Sequence, residues 1–356
     1  MVVRRDIVAI SIPFSAGVAL AACLPSGGDA LYPVAAGSCL AAAALLVPDA
    51  GRRRIATLFP LLFGFLGIFC YCSSALSVPL RQAPGPGAGR ALEALLHAID
   101  GANFPHASTA ALLKALLAGQ RDGLDRETVA AFRAAGASHI LALSGLHLGM
   151  LYGIMNLALR WMGRSRTACI ARSVIQIGFA GAYVTMTGAS PSLVRAFLFI
   201  VLNELSRLLP GRRRRPLNIF CAALTIQLAV TPGVITSLGF QLSYLAMLGI
   251  VLVFPRLDAW YPAGRRPDPL RRIWSAVALT CSCQLFTAPL VWLRFHNFPK
   301  YFLLTNLGAL PLTEGFICCS LPVLILGGHC PEGIKNLADG IGQILLQFLG
   351  TVAAIP

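Results

Sequence analysis

Ser144 and His147 stand three residues apart in the run Leu143-Ser144-Gly145-Leu146-His147. On a helix this spacing sets a hydroxyl and an imidazole one turn apart on neighbouring positions of one face. A hydroxyl beside a base is the beginning of nucleophilic catalysis. The complete device also needs a group to orient the base and donors for an oxyanion, and no carboxylate falls at the same depth of the surrounding apolar segments. The pair can equally be two polar groups on the wall of a hydrated passage. Counting inwards at about 1.5 Å per residue, His147 and Gln241 both lie roughly 12 Å below the outer ends of their apolar segments. Ser144, Ser243 and Asn306 are a little shallower, and Gln176, counted from the inner end, also arrives near the middle. A shared depth suits a wet path through the membrane, whereas hydrogen-bonded glue between helices does not require it. Both readings stay open for each of these residues.

Fixed charge is the second ingredient. Arg195 lies about 6 Å inside the outer boundary of its segment, close enough to snorkel to water or to face a pore and meet phosphate. Arg172 has the same choice towards the inner side. Glu204 is deeper, and Arg207, three residues on, is spaced to neutralise it as a structural pair. The six histidines are scattered and no His-x-His-x-Asp-His cluster is present, so neither a hydrolytic metal centre nor a cofactor is expected. Most of the eleven cysteines sit in apolar segments and read as small buried hydrophobes.

The elements that must hold these groups are membrane helices. The 356 residues are 56% hydrophobic and only 12% charged, with a mean hydropathy of +0.73, too little polar residue to cover a soluble globule. The fold class expected is all-α, a polytopic membrane helix bundle. Apolar runs at 7–24, 30–47, 55–78, 140–159, 168–186, 192–209, 217–231, 234–254, 273–293, 301–326 and 334–354 make about eleven transmembrane helices. Leu20-Ala21-Ala22-Cys23 also has the look of a lipoprotein signal, against which the next apolar run argues for a first membrane span.

The net charge of +15 is gathered in loops. With a cytoplasmic N-terminus, the inner loops hold Arg52 to Arg54, Arg160, Arg164, Arg166, Arg212 to Arg215, Arg256, Arg265, Arg266, Arg271 and Arg272. The short outer loops hold none, apart from Arg294 and Lys300. The division expected is an N-terminal three-helix segment at 1–78, an extracytoplasmic segment at 79–138 and a membrane domain at 139–356. The middle segment opens with Ala83-Pro84-Gly85-Pro86-Gly87-Ala88-Gly89, a linker that disfavours regular structure. Short helices follow at 91–99, 109–117 and 125–135, the last two amphipathic and expected to lie on the membrane or on the bundle. Pro289, Pro311, Pro322 and Gly327-Gly328 predict broken helices near the polar level, as at a transport site.

Four ordered motif groups carry a resemblance. The run from Leu112 to His147 contains Gly119-Gln120-Arg121-Asp122-Gly123-Leu124, Phe132-Arg133-Ala134-Ala135-Gly136 and Ser144-Gly145-Leu146-His147. Then come Ser190-Pro191-Ser192-Leu193-Val194-Arg195-Ala196 with Pro216-Leu217-Asn218, Gly239-Phe240-Gln241-Leu242-Ser243-Tyr244, and Phe295-His296-Asn297-Phe298-Pro299 with Asn306. Together, over 112–326, they resemble the ComEC competence family, inner-membrane proteins that pass incoming DNA into the bacterial cytoplasm. The resemblance implies a multi-pass bacterial inner-membrane channel component for single-stranded DNA in natural transformation, lined by Ser144, His147, Arg195, Phe240, Gln241, Ser243, Tyr244, His296 and Asn306. It implies membrane lipid, a separately encoded nuclease, a DNA receptor, a cytoplasmic ATPase and further copies of the chain as partners. Larger members also carry OB-like and metallo-β-lactamase-like domains. No segment here is long enough for the first and no metal motif marks the second, so a trimmed member without enzymatic activity is expected. The rivals are an intramembrane hydrolase using Ser144 and His147, and a transporter of another polar solute.

Overall fold

The computed structural model describes residues 6–23, 37, 52–76, 86–141, 143–163, 165–208, 215–262, 268–296 and 300–355. The apolar run at 30–47, the triplet at 212–214, Arg265, Arg266 and the 297–299 part of the last motif lie outside them, Gly37 apart. Among the described residues the chain is helical and contains no strand. It is an all-α membrane helix bundle, the class that hydropathy predicts, because hydrocarbon leaves backbone N–H and C=O groups only intrahelical partners.

The helices in chain order are α1 (Asp6–Cys23), α2 (Arg52–Leu76), α3 (Pro86–Gly101), α4 (Ala107–Ala118), α5 (Arg126–Ala134), α6 (Ser138–Leu141), α7 (Gly145–Ala158) and α8 (Arg166–Met186). They continue with α9 (Pro191–Leu208), α10 (Pro216–Val230), α11 (Leu238–Leu252), α12 (Phe254–Asp258), α13 (Pro269–Phe295), α14 (Phe302–Leu326) and α15 (Glu332–Ala353). Among the described residues, α8, α13 and α14 with its following 3-10 turn to His329 are long and apolar enough to cross a membrane. Ile7–Cys23, Phe59–Ser74, Pro216–Val230 and Leu238–Leu252 are apolar but shorter.

The breaks fall elsewhere than proline predicts. α13 runs through Pro289 and α14 through Pro311 and Pro322, each tolerated inside a membrane helix where neighbours re-satisfy the freed carbonyl. Among the described residues the interruptions are at 143–144, before α7, and at 231–237, where a 3-10 turn (Pro232–Thr236) precedes α11. The expected span at 140–159 is therefore divided, and α7 alone reaches about 21 Å. α3 also starts inside the proline-glycine run, with Pro86 at its first position, where a missing N–H costs nothing.

The chain forms two compact units, residues 1–82 with 198–247 and residues 83–197 with 248–356. In the first, α1 lies on α2 through glycine. A Cβ at Gly17 would overlap the Gly64 carbonyl, and one at Gly67 would overlap that of Phe14. Such small-residue faces let backbones approach where lipid supplies no hydrophobic drive for association. The Ser11 hydroxyl donates to Cys221 O at 2.7 Å, tying α1 to α10.

In the second unit the core gathers α4, α5, α6, α14 and α15 around Leu112, Leu113, Leu116, Phe132, Ile140, Phe316, Ile317, Leu345 and Leu349. α4 differs from its amphipathic expectation. Leu112, Leu113, Ala115, Leu116, Leu117 and Ala118 are all buried, so its apolar residues are enclosed on several sides. The reason is that α3 and α4 form a hairpin packed into the unit. Ala102 and Phe104, in its turn, cluster with Val323, Cys330 and Ala338. At the other end of α4, the Leu117 carbonyl accepts from the Tyr183 hydroxyl at 2.8 Å.

Candidate functional site

The interruption before α7 is built by two close approaches. α4 ends at Gly119, whose φ of 75° is left-handed, and a Cβ there would overlap the Leu143 side chain. Leu143 thus seats on glycine, and Ser144 follows in extended backbone, φ −115° and ψ 160°. Gly145 then opens α7 against α9. A Cβ at Gly145 would lie 2.9 Å from Ala196 Cβ, 3.5 Å from Ser192 O and 3.9 Å from Arg195 Nη2. The Ser192 hydroxyl donates to Leu143 O at 2.9 Å across the same junction. Three of the sequence motifs, around Gly119, Ser144 and Arg195, therefore meet at one place in the second unit.

The polar groups here are unusual for their burial. His147 is 1% exposed, and neither ring nitrogen has a hydrogen-bond partner. Arg195 is 6% exposed. Ser144 occupies the N-cap of α7, yet its hydroxyl accepts no bond from the helix, so the first-turn amides are not capped in the usual way. Nucleophilic chemistry has a weaker footing. Ser144 and His147 share no hydrogen bond, since both nitrogens of the imidazole are without a partner, and a working base must hold the proton it will take.

The remaining candidates separate. Asn306, on α14 in the same unit, has a buried Oδ1 with no partner, while its neighbour Thr305 donates to Ala135 O at 2.8 Å. Exposed His296 caps α13 in the left-handed region, φ 49°. Phe240, Gln241, Ser243 and Tyr244 belong to the first unit. Phe240 and Tyr244 are 4% and 6% exposed, their ring centroids 4.5 Å apart, and the Tyr244 hydroxyl donates to Gln227 Oε1 at 2.8 Å. Gln241 donates to Ile235 O at 2.9 Å and closes the turn before α11. Ser243 is half-buried. Gln176 donates to Asn156 Oδ1 at 3.2 Å, a link between α8 and α7. Arg207 pairs with buried Glu204 at 2.8 Å, as their spacing predicts, and Arg172 donates to Gly163 O at 3.1 Å.

Sequence reasoning missed one cluster. Asp339, buried on α15, accepts from the His106 amide at 3.2 Å and from the Thr109 hydroxyl at 2.6 Å, and its second oxygen lies 2.7 Å from His106 Nδ1. Gln343 donates to the hydroxyls of Ser108 and Thr109 at 2.9 and 3.1 Å. The signal was an acid in an otherwise apolar segment, which in a membrane protein needs a named partner.

The sequence profile of the competence protein family matches residues 116–356, a stretch that begins on α4 and contains the junction of Gly119, Leu143, Gly145 and Arg195. The chain belongs to the competence protein family. Among curated relatives, this competence-family chain is 27% identical over 220 residues to ComE operon protein 3 of Bacillus subtilis (strain 168), covering 61% of the chain and 26% of that protein. It is 27% identical over 271 residues to Recombination protein 2 of Haemophilus influenzae, covering 67% of the chain and 32% of the relative. It is also 26% identical over 259 residues to the uncharacterized protein YcaI of Escherichia coli (strain K12), again 67% and 32%. The chain thus spans about a third or less of the length of these relatives. No solved structure matches it significantly.

Proposed function

We propose that this chain is a component of a bacterial inner-membrane channel that passes single-stranded DNA into the cytoplasm during natural transformation. The observation that carries the reading is the divided helix at Leu143–Ser144, where buried His147, without a hydrogen-bond partner, and buried Arg195 stand at a junction of family motifs. Interrupted backbone at membrane depth is tolerated where it is covered by protein or lines a hydrated cavity, and substrate sites of transport proteins are built at such half-helix ends. A strand in transit needs cationic contacts for phosphate and polar groups at a common level. Ser144, His147, Arg195 and Asn306 supply these from one unit, and Phe240, Gln241, Ser243, Tyr244 and His296 are the further lining candidates.

On this reading residues 1–78 are an N-terminal membrane segment and 139–356 the channel domain. The N-terminus is cytoplasmic, and a nuclease, a DNA receptor and a cytoplasmic ATPase are the partners that this reading names. A homo-oligomeric passage is part of the proposal. The test is uptake of labelled DNA into the cytoplasm of a transformable host at matched protein levels. His147→Ala and Arg195→Ala are expected to lower transformation by at least about tenfold, the scale of one lost charge-assisted contact. Unaltered transformation in both variants, and in the deletion of the whole chain, would sink the reading.

A further inference from the structure

We infer that the turn joining α7 to α8 is a seat for the headgroup of an anionic phospholipid, with Arg160 and Arg172 on its phosphate, Trp161 at the interface and the exposed apolar residues of both helix ends beside its acyl chains. The inference is independent of the reading of the chain as a DNA passage and goes beyond it.

The level of the turn follows from the length of α8. Its 21 residues, Arg166–Met186, rise about 31 Å, which matches hydrocarbon about 30 Å thick, so the first of them stands at a membrane boundary. α7 is followed by the 3-10 turn Leu159–Met162, which touches both α7 and α8, and the Gly163 amide donates back to Arg160 O. The Ser165 hydroxyl accepts from the Ala168 amide at 3.1 Å and caps α8, whose positive dipole end therefore lies at the same level.

Arg172 supplies the placed cation. It is six residues into α8, about 9 Å by helix rise, yet its Nη1 donates to Gly163 O at 3.1 Å. The side chain thus runs back along the helix and delivers its guanidinium to the turn, as a cationic residue at a membrane boundary does. The carbonyl takes one of five N–H donors and none of the charge. Arg160 is exposed in the same turn. Between Glu127 and Glu204 the chain contains no Asp or Glu, and among the described residues neither Arg160 nor Arg172 is in an ion pair. The negative charge available at this depth is the phosphate plane of an anionic leaflet, which suits the guanidinium fork.

The apolar half of the seat decides between a lipid and a strand in water. Trp161 is 83% exposed, an unfavourable place for an indole in water and a favoured one at a membrane interface. Leu157 at the end of α7, and Ile170 and Val174 on α8, are exposed too. A nucleic acid would use the arginines and the indole and leave these aliphatic side chains bare, whereas a phospholipid covers all of them.

The experiment titrates the full chain in dodecyl maltoside with phosphatidylglycerol or phosphatidylcholine carrying brominated acyl chains. It reads the part of the tryptophan quenching that Trp161→Phe abolishes, in wild type and in each variant. Phosphatidylglycerol is expected to quench at about tenfold lower concentration than phosphatidylcholine, the scale of one charge-assisted contact. Arg172→Gln and Arg160→Gln are each expected to remove most of that preference, and Arg172→Lys, which keeps the charge and loses the fork, to retain part of it. Arg160→Gln changes an exposed side chain, so it keeps the test decisive where Arg172→Gln unsettles the turn, which a lowered unfolding temperature without added lipid reveals. Arg133→Gln, exposed on α5, which packs on α6 and α15, is expected to leave the preference unchanged. Equal quenching by the two lipids in wild type would overturn the seat, as would a preference unaltered in both Arg160→Gln and Arg172→Gln. Displacement of the lipid by a short single-stranded oligodeoxynucleotide at equal phosphodiester concentration would also overturn it, and would make the turn a contact for the strand.

Discussion

Asp339 accepts from two elements, the His106 amide and the Thr109 hydroxyl at the start of α4, while lying buried on α15. Removing it strands the Thr109 hydroxyl in a buried place, where an unpaired donor costs about 1–3 kcal/mol, while the amide of exposed His106 can turn to water. Asp339→Ala is therefore expected to destabilise the purified chain by about 1–3 kcal/mol, and Asp339→Asn by less, since an amide oxygen can still accept one of the bonds. Detergent-solubilised thermal unfolding measures both, and equal stability of Asp339→Ala and wild type would refute the role. The Tyr183 hydroxyl gives a smaller case. Tyr183→Phe leaves Leu117 O short of one bond while keeping the ring packed, and is expected to cost about 1 kcal/mol in the same measurement. Sequence reasoning found His147 and Arg195 because ionisable residues in an apolar run are conspicuous. It passed over Asp339 for want of a partner in view, since His106 and Thr109 are more than two hundred positions away and only packing brings them to it.

At the scale of elements, hydropathy read the long helices well. α8, α9, α10, α13, α14 and α15 fall within a few residues of their apolar runs. It placed the break at Gly327-Gly328, where a 3-10 turn parts α14 from α15, but misplaced the others, because proline was taken as the breaker and the actual causes are contacts. α6 and α7 are parted where Leu143 packs on Gly119 and Gly145 packs on Ala196, pairings that no local propensity encodes. In isolation 140–159 would favour one continuous helix, and the fold overrides it. Glycine at helix contacts has a testable consequence in the first unit. Gly17→Ala forces a Cβ into the Gly64 carbonyl, so α1 and α2 must move apart. Overpacking of this kind costs about 1–3 kcal/mol, and Gly87→Ala, which meets nothing within 4 Å, is the matched control in an exposed helix. The expected result is a lowered unfolding temperature for Gly17→Ala and none for Gly87→Ala. Equal temperatures would mean that α1 and α2 do not touch through Gly17.

At the scale of the whole molecule, the position of the α3–α4 turn is what the positive-inside count did not foresee. That count puts 79–138 on the extracytoplasmic side and the link between α14 and α15 on the cytoplasmic side. Yet Ala102 and Phe104 pack with Cys330 and Ala338 beside that link, His106 bonds to Asp339, and the far end of α4 is tied to Tyr183 near the opposite end of α8. With about 24 Å of helix in α3 and about 18 Å in α4, the hairpin has the reach to pass from one side of the second unit to the other and return. Loop charge carries no information about a segment that enters and leaves by the same face, and the apolar side chains of α4 resemble those of a surface helix until the partners that enclose them are known. The prediction concerns sidedness. In a chain with its native cysteines replaced, Asn103→Cys and Gly328→Cys are expected to react with a membrane-impermeant maleimide from the same side, and Thr187→Cys from the other. With a cytoplasmic N-terminus the first two label in inverted vesicles and the third in intact spheroplasts. Labelling of Asn103→Cys together with Thr187→Cys would return the hairpin to the outer surface, and would then require the core of Leu112, Leu116, Phe316 and Leu345 to form outside the hydrocarbon.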